Sequence, residues 1–339
     1  MRAAIFRNGE IVVDTLPEPK PGAGQVLVKT LACGICGSDL HARKHAHRMV
    51  ELARHFPTRK PMDLARDVVF GHEFCCEVLD YGPDTERKVK PGARVCAMPL
   101  MMEADGPKGM GYSNTYVGGY AEQMLLAAPL MLEVPNGLAT DHAALTEPLA
   151  VGVHAVEKAA LAGDEAPLVI GCGPVGLAVI AALRLKGIRP IVAADFSPKR
   201  RELAVKMGAD VVVDPAKEQP YPKLAPAKRA AIFECVGVPG VLQQMFEQVP
   251  RDARLVVVGV CMEPDTIEPM FGIVKELSLQ FVLGYTPEEF ARSLGLLADG
   301  QVDAEALITG KVGLDGVKAA FGELANPERH TKILVEPWR

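Results

Sequence analysis

Aromatic residues are scarce in this sequence: Phe, Tyr and Trp together make up 5% of the chain, with a single Trp. Surfaces that stack nucleic-acid bases need such rings. Excess positive charge is missing too, since 37 Lys and Arg stand against 42 Asp and Glu, a net charge of −5. Such a chain has no general attraction to a phosphate backbone or an anionic membrane. The opening MRAAIFRNGE has no apolar core of a secretory signal. No apolar run reaches the ~20 residues of a spanning helix, and the most apolar stretch, Pro167 to Leu183, is interrupted by Gly and Pro. The eight cysteines lack disulfide-like spacing, so free thiols or metal ligands are expected. The expectation is a cytoplasmic protein with neither nucleic-acid nor membrane partners. What is present is 339 residues with 49% hydrophobic and 23% charged side chains, an ordinary globular balance with room for two domains.

The first third reads as short strands at Ala3–Phe6, Ile11–Asp14, Val26–Leu31, Phe74–Tyr81 and Tyr120–Leu126, separated by Gly and Pro clusters. This pattern predicts an antiparallel β-domain. A basic segment follows Asp39, and its Met49, Leu52, Ala53 and Phe56 recur at helical spacing. Asp141 is a plausible cap for an Ala-rich helix running to about Lys158. Beyond it, Val- and Ile-rich strands at Leu168–Ile170, Ile191–Ala194, Val211–Val213, Ala231–Glu234, Leu255–Val258 and Leu279–Leu283 alternate with helical patterns. That alternation predicts a parallel sheet covered on both faces.

Leu168-Val-Ile-Gly171-Cys-Gly173-Pro174-Val175-Gly176 is a strand, a GxGxxG turn and the start of a helix. The glycines allow a tight turn, close approach of a pyrophosphate, and helix–strand packing. The helix N-terminus favours the anion. Asp195 ends the next strand, 19 residues past Gly176. An acid there accepts from the adenosine ribose hydroxyls and repels a 2′-phosphate, so NAD is expected over NADP. Arg200 and Arg201 follow; they read as a solvated helix face, with contact to a 2′-phosphate as the other reading.

Cys and His concentrate at Gly34-Ile-Cys36-Gly-Ser38-Asp39-Leu-His41 and Gly71-His72-Glu73, with Thr146-Glu147-Pro148 far downstream. Catalytic zinc takes about three protein ligands and keeps one position open. Cys36, His72 and Glu147 supply one ligand of each type. Singly, each has a plainer reading: a buried thiol, a core imidazole, a helix-start acid. Cys33 and Cys36 form a CxxC pair, but no second pair exists to complete a structural zinc site.

The strings GICGSDLH, GHE, EPLAVGVHA, GCGPVGL and FECVG, with the ending HTKILVEP, resemble the zinc-dependent medium-chain alcohol dehydrogenases, in the polyol and threonine dehydrogenase branch. The resemblance runs over essentially the whole chain. It implies an α/β fold: a Rossmann parallel-sheet domain inserted into a β-rich, GroES-like catalytic domain. Residues 1–148 and 285–339 would form the catalytic domain, the final strand returning to it, and 149–284 the NAD-binding domain. It further implies that Cys36, His72 and Glu147 hold one catalytic zinc, with Glu73 approaching when the coordination changes. Asp39 would orient His72, and Ser38 and His41 would relay the hydroxyl proton. Val236, Gly259, Val260, Leu283 and Tyr285 would touch the cofactor. A homodimer or homotetramer and a small alcohol or carbonyl substrate complete the expectation.

Three departures from the family pattern bear on function. The stretch from Met98 to Gln123 lacks the four Cys of a structural zinc lobe, so one zinc per chain is expected. Cys36 and His72 are 36 residues apart, which places an insertion within Ala42–Val69. With His45, His47, Arg43, Arg48 and Arg54 it reads equally as a cap over the site or as a solvated basic helix. Gly284-Tyr285 stands where the polyol branch tends to have Arg-Tyr, and Leu100, Met101 and Met102 lie near the expected substrate wall. These favour a secondary, aromatic or otherwise apolar alcohol over a sugar polyol.

Overall fold

A computed structural model describes residues 1–56, 60–104, 106–226 and 228–339. Six strands form a wholly parallel sheet in the order Val211–Val213, Val192–Ala194, Ala166–Ile170, Ala230–Glu234, Arg254–Val257, Ser278–Phe281. Side chains alternate across a strand. Val169, Ala193, Phe233 and Val256 therefore enter one core with the Pro174–Leu185 helix. Leu168, Val192, Ile232 and Leu255 enter the opposite core with Met245 and Phe246. This is the Rossmann domain of an α/β fold.

The GroES-like domain is β-rich. Its central strand, Gln25–Gly34, buries Val26, Val28, Thr30 and Ala32 in strict alternation. That strand pairs antiparallel with Glu73–Tyr81, Gln123–Ala127 and the late strand Lys332–Val335. The last strand thus returns to the first domain and brings Lys332 beside Glu73.

Two expectations need correction. The helix expected from Asp141 to Lys158 is two helices, Thr140–Ala143 and Thr146–Lys158, and the first is capped at Ala139. Pro148 has no N–H for the Ala144 carbonyl, so a continuous helix cannot pass. The Thr146 hydroxyl donates to the Ala143 carbonyl at 2.7 Å instead. The break puts Glu147 in the first turn of a new helix. Second, Leu100–Glu103 pairs with Gly106–Gly109 as a hairpin; Met101 is buried in the core and Met102 faces out. The basic insertion forms the short helix that its spacing predicts, Ala46–Ala53, which packs Ala46, Met49 and Val50 on the catalytic core. Its residues 57–59 lie outside the described residues. No described helix is long and apolar enough to cross a membrane.

Candidate functional site

Gly34 lies opposite Glu73 across two antiparallel strands. This register sets Cys36, just past the first strand, against His72 and Glu73 at the start of the second. The ligand atoms of Cys36, His72 and Glu73 all lie within 4.8 Å of one another. Both Glu73 oxygens accept from the Lys332 ammonium, at 2.7 and 2.6 Å, and Lys332 also donates to the Ile35 carbonyl at 3.1 Å. Glu147 is outside the 4.8 Å group yet within its field. Burial lifts the Glu147 carboxyl to about 7, with His72 opposing and Glu73 adding to the rise.

Asp39 is the hub behind this group and is fully buried. Its Oδ2 accepts from the Tyr120 hydroxyl at 2.7 Å and the Cys36 N–H at 3.0 Å. Its Oδ1 accepts from the Tyr112 hydroxyl at 2.7 Å and faces His72 Nδ1 at 3.4 Å. Burial works against the Asp39 charge, but His72 and the two tyrosines hold its pKa below the usual value. Burial likewise opposes charge on His72, yet Asp39 and Cys36 push its pKa well above the ordinary value. The surroundings favour a cation. With Nδ1 on Asp39, the ring turns Nε2 toward Ser38 Oγ, 3.5 Å away.

Ser38 and His41 lie on the helix Gly37–Lys44. Burial, His45 and Lys44 lower the His41 pKa, while Glu263 of the Rossmann side acts in the opposite direction. His41 is half-buried on this helix. Its ring stacks on His45, with centroids 6.2 Å apart. Arg43 and Arg48 pair with Glu10 and Glu51 on the surface.

The glycine turn has the geometry that its spacing predicts. Gly171 has φ +89°, and a Cβ on Gly176 would lie 1.9 Å from the Gly171 carbonyl oxygen. Gly173, Pro174 and Val175 are partly open, and Pro174 begins the helix Pro174–Leu185. Asp195 braces the turn. Its carboxylate accepts from the Cys172 N–H at 2.7 Å and the Ser197 N–H at 2.8 Å. The Arg200 guanidinium reaches to 3.9 Å from Asp195 and lies over Gly173. Its Nε is buried with no hydrogen-bond partner, an orphan donor beside the expected pyrophosphate site. Arg200 is thus not the solvated face that the sequence favoured. Val236 and Val260 are exposed and Gly259 half-buried beyond their strands. The Glu234 side chain accepts from the Val236 and Gly237 N–H groups at 2.6 and 2.8 Å. Leu283 is 70% exposed, whereas Tyr285 stacks on Phe290 at 5.4 Å. The Tyr285 hydroxyl is buried near Glu147 without a hydrogen bond of standard geometry.

Residues 22–136 match the family described as alcohol dehydrogenase GroES-like domain, and residues 174–299 match the one described as zinc-binding dehydrogenase. The (R,R)-butanediol dehydrogenase of Bacillus subtilis is 33% identical over 355 residues, covering 99% of this chain and all of the relative. The chain belongs to the zinc-dependent medium-chain alcohol dehydrogenases. The crystal structure of the B. subtilis 2R,3R-butanediol dehydrogenase has a TM-score of 0.84 at 31% identity over 99% of both chains. A B. subtilis sorbitol dehydrogenase is 27% identical over all of this chain and 98% of its own. A zinc-binding dehydrogenase from Sinorhizobium meliloti 1021, solved bound to NADP, has a TM-score of 0.83 at 27% identity over 99% of both chains.

As a zinc-dependent alcohol dehydrogenase, the chain is an oxidoreductase acting on CH–OH groups, with a nicotinamide dinucleotide and zinc as its cofactors. The donor set fits the metal on its own chemistry. Thiol, imidazole and carboxylate converge, and an acid orients the imidazole from behind. Sequence reasoning missed Tyr112, Tyr120 and Lys332. Lys332 left one signal, a lone Lys inside the apolar run of HTKILVEP. The tyrosines left none.

Proposed function

We propose that this chain oxidises secondary alcohols reversibly with NAD, using one zinc ion held by Cys36, His72 and Glu147. The observation that carries the proposal is the convergence of Cys36 and His72 with Ser38 beside them. Lys332 occupies both oxygens of Glu73, which leaves Glu147 as the free carboxylate. When bound, zinc supplies Lewis acidity that makes an alcohol hydroxyl easier to deprotonate. Ser38 takes the hydroxyl proton and His41 passes it to solvent; the lowered pKa keeps His41 neutral and able to accept. The turn at Gly171, Gly173 and Gly176, with Pro174 and Val175 opening the helix, holds the pyrophosphate. Asp195 meets the adenosine ribose, and Arg200 donates to the nearby ribose or phosphate oxygens. Val236, Gly259, Val260, Leu283 and Tyr285 line the remainder of the cofactor path.

A short vicinal diol is favoured over a hexitol. Leu283-Gly284-Tyr285 carries no charged donor, and the butanediol dehydrogenase is the more similar relative, at 33% against 27% identity. The eight cysteines are all unpaired, which suits the cytoplasm. A second copy of the chain would cover the open sheet edge. All four residues of Ser278–Phe281 are exposed, beside exposed Met270, Ile273 and Val274. Sedimentation of Phe281→Glu, if unchanged from the parent, would remove that edge as the interface.

The deciding experiment reads nicotinamide absorbance at 340 nm with 2,3-butanediol, sorbitol and 1-phenylethanol. NAD and NADP run side by side, before and after chelation and zinc restoration. Turnover that needs zinc and prefers NAD is expected. Turnover that survives complete metal removal would overturn the reading.

A further inference from the structure

The Tyr112 hydroxyl meets three polar groups. It lies 2.7 Å from Asp39 Oδ1, 2.9 Å from Ser38 Oγ and 3.4 Å from His72 Nδ1. A phenol has one proton to give. Asp39 is an ionised carboxylate and only accepts, so the proton is committed to it. The 2.9 Å bond to Ser38 then has one possible direction: Ser38 donates and Tyr112 accepts. Ser38 thus turns its lone pairs away from Tyr112, toward His72 Nε2 and the open side of the metal group. A serine hydroxyl is ordinarily a free rotor that donates or accepts as required; here its resting orientation is set, and it leaves Tyr112 only when it hands a proton on toward His41.

We propose that Tyr112 is a positioning residue that fixes Ser38 as a hydrogen-bond acceptor, so that the site selects the hydroxyl form of its substrate over the carbonyl form. The inference rests on the alcohol dehydrogenase reading of the same site. An alcohol donates to Ser38 as it stands. A ketone has no proton to offer, so it must first turn Ser38 out of its bond to Tyr112. The difference is worth about one ordinary hydrogen bond, roughly 5-fold in relative affinity.

A matched control exists within the same hub. Tyr120 donates to the other Asp39 oxygen at the same 2.7 Å, and no bond joins it to Ser38. Tyr112→Phe and Tyr120→Phe each remove one donor from Asp39, but only the first frees Ser38. Binding is read by calorimetry on the zinc-replete, NAD-bound protein with two unreactive probes. tert-Butanol donates and has no hydride to give, whereas dimethyl sulfoxide only accepts. The ratio of their dissociation constants cancels any general loss of the site.

Tyr112→Phe is expected to shift this ratio toward the sulfoxide by about 5-fold, with Tyr120→Phe holding the parent ratio. In a Ser38→Ala background, Tyr112→Phe is expected to change nothing further. The KM ratio of ketone to alcohol should fall in the same variant. An unchanged ratio in Tyr112→Phe, or equal shifts in both tyrosine variants, would overturn the proposal while the dehydrogenase reading stands. Absence of zinc-dependent alcohol turnover in the parent would overturn the reading itself.

Discussion

Asp39→Asn is the substitution for which the site makes the most demanding forecast. The native carboxylate serves the Tyr112 and Tyr120 hydroxyls, the Cys36 N–H and His72 Nδ1. Asparagine offers one acceptor oxygen and one NH2 in the same volume. With the NH2 at the Oδ2 position, Tyr120 has the Gly34 carbonyl, 3.3 Å away, as a second acceptor. The Cys36 N–H is fixed by the backbone and is left facing a donor. With the NH2 at Oδ1, His72 Nδ1 loses the carboxylate and keeps only the neutral Tyr112 hydroxyl, 3.4 Å away. Either way one buried N–H loses its carboxylate acceptor, at about 1–3 kcal/mol. The charge that makes His72 a better ligand also disappears, and losses of this kind cost about 10–100-fold in metal affinity. Chelator competition and urea unfolding of the zinc-loaded protein measure the two effects separately. Zinc affinity within twofold of the parent, together with a stability change under about 0.5 kcal/mol, would refute the reasoning, since surface substitutions stay in that range.

Other outcomes follow from the same contacts. In Gly152→Ala the new Cβ would lie 2.5 Å from the Ala178 carbonyl carbon. Overpacking between the two helices should cost about 1–3 kcal/mol, more than the ~1 kcal/mol gained in helix propensity; a raised Tm would contradict this. Arg200→Ala should raise the KM for both dinucleotides about 10-fold, the worth of a charge-assisted bond, and parent-like values would remove Arg200 from the site. Burial together with His45 and Lys44 lowers the folded-state pKa of His41 from 6.5. Below 6.5 the unfolded chain binds the extra proton first, so stability rises with pH across the window between the lowered pKa and 6.5. His41→Gln should flatten that slope in unfolding curves taken through the window, and a retained slope would assign it elsewhere. Elemental analysis should find one zinc per chain, and a value near two would expose a second site.

What the sequence makes legible depends on how local the chemistry is. The dinucleotide turn is local: Gly171, Gly173 and Gly176 lie within six residues, and their spacing already carries the φ and the close approach. Cys36 and His72 were legible through short strings around each, although only strand register brings them together. Helix continuity through Pro148 was misread because the Ala-rich pattern outweighed a single missing N–H. The Leu100–Glu103 hairpin escaped notice because its partner strand, Gly106–Gly109, is half glycine with a proline. Tyr112 and Tyr120 were invisible as site residues, and Lys332 nearly so, for a different reason. Each is defined by a partner far away in the chain, as with Lys332 on Glu73 across 259 positions, and no local period encodes such a pairing.

Charge distribution explains why the site needs all of these distant partners. Asp39, Glu73 and Glu147 are all buried, and an unpaired buried carboxylate costs several kcal/mol. Asp39 is satisfied by neutral donors and the His72 ring. Glu73 is neutralised by Lys332, which is 1% exposed and bonded to both its oxygens. Those two acids are thereby settled within the protein. Among the described residues no ion pair holds Glu147, and burial lifts its pKa to about 7 against the pull of His72, Tyr285 and Lys332. In the proposed ligand set, Cys36 is the other group that must ionise. One thiolate and one carboxylate match a divalent cation charge for charge, with neutral His72 completing the set. If Lys332 were absent, Glu73 would add a third negative charge and compete for the open coordination position on which alcohol chemistry depends. The buried lysine therefore does more than stabilise a strand. With the proposed ligand set of Cys36, His72 and Glu147, it would keep the metal group at the charge, and with the vacancy, that alcohol chemistry requires.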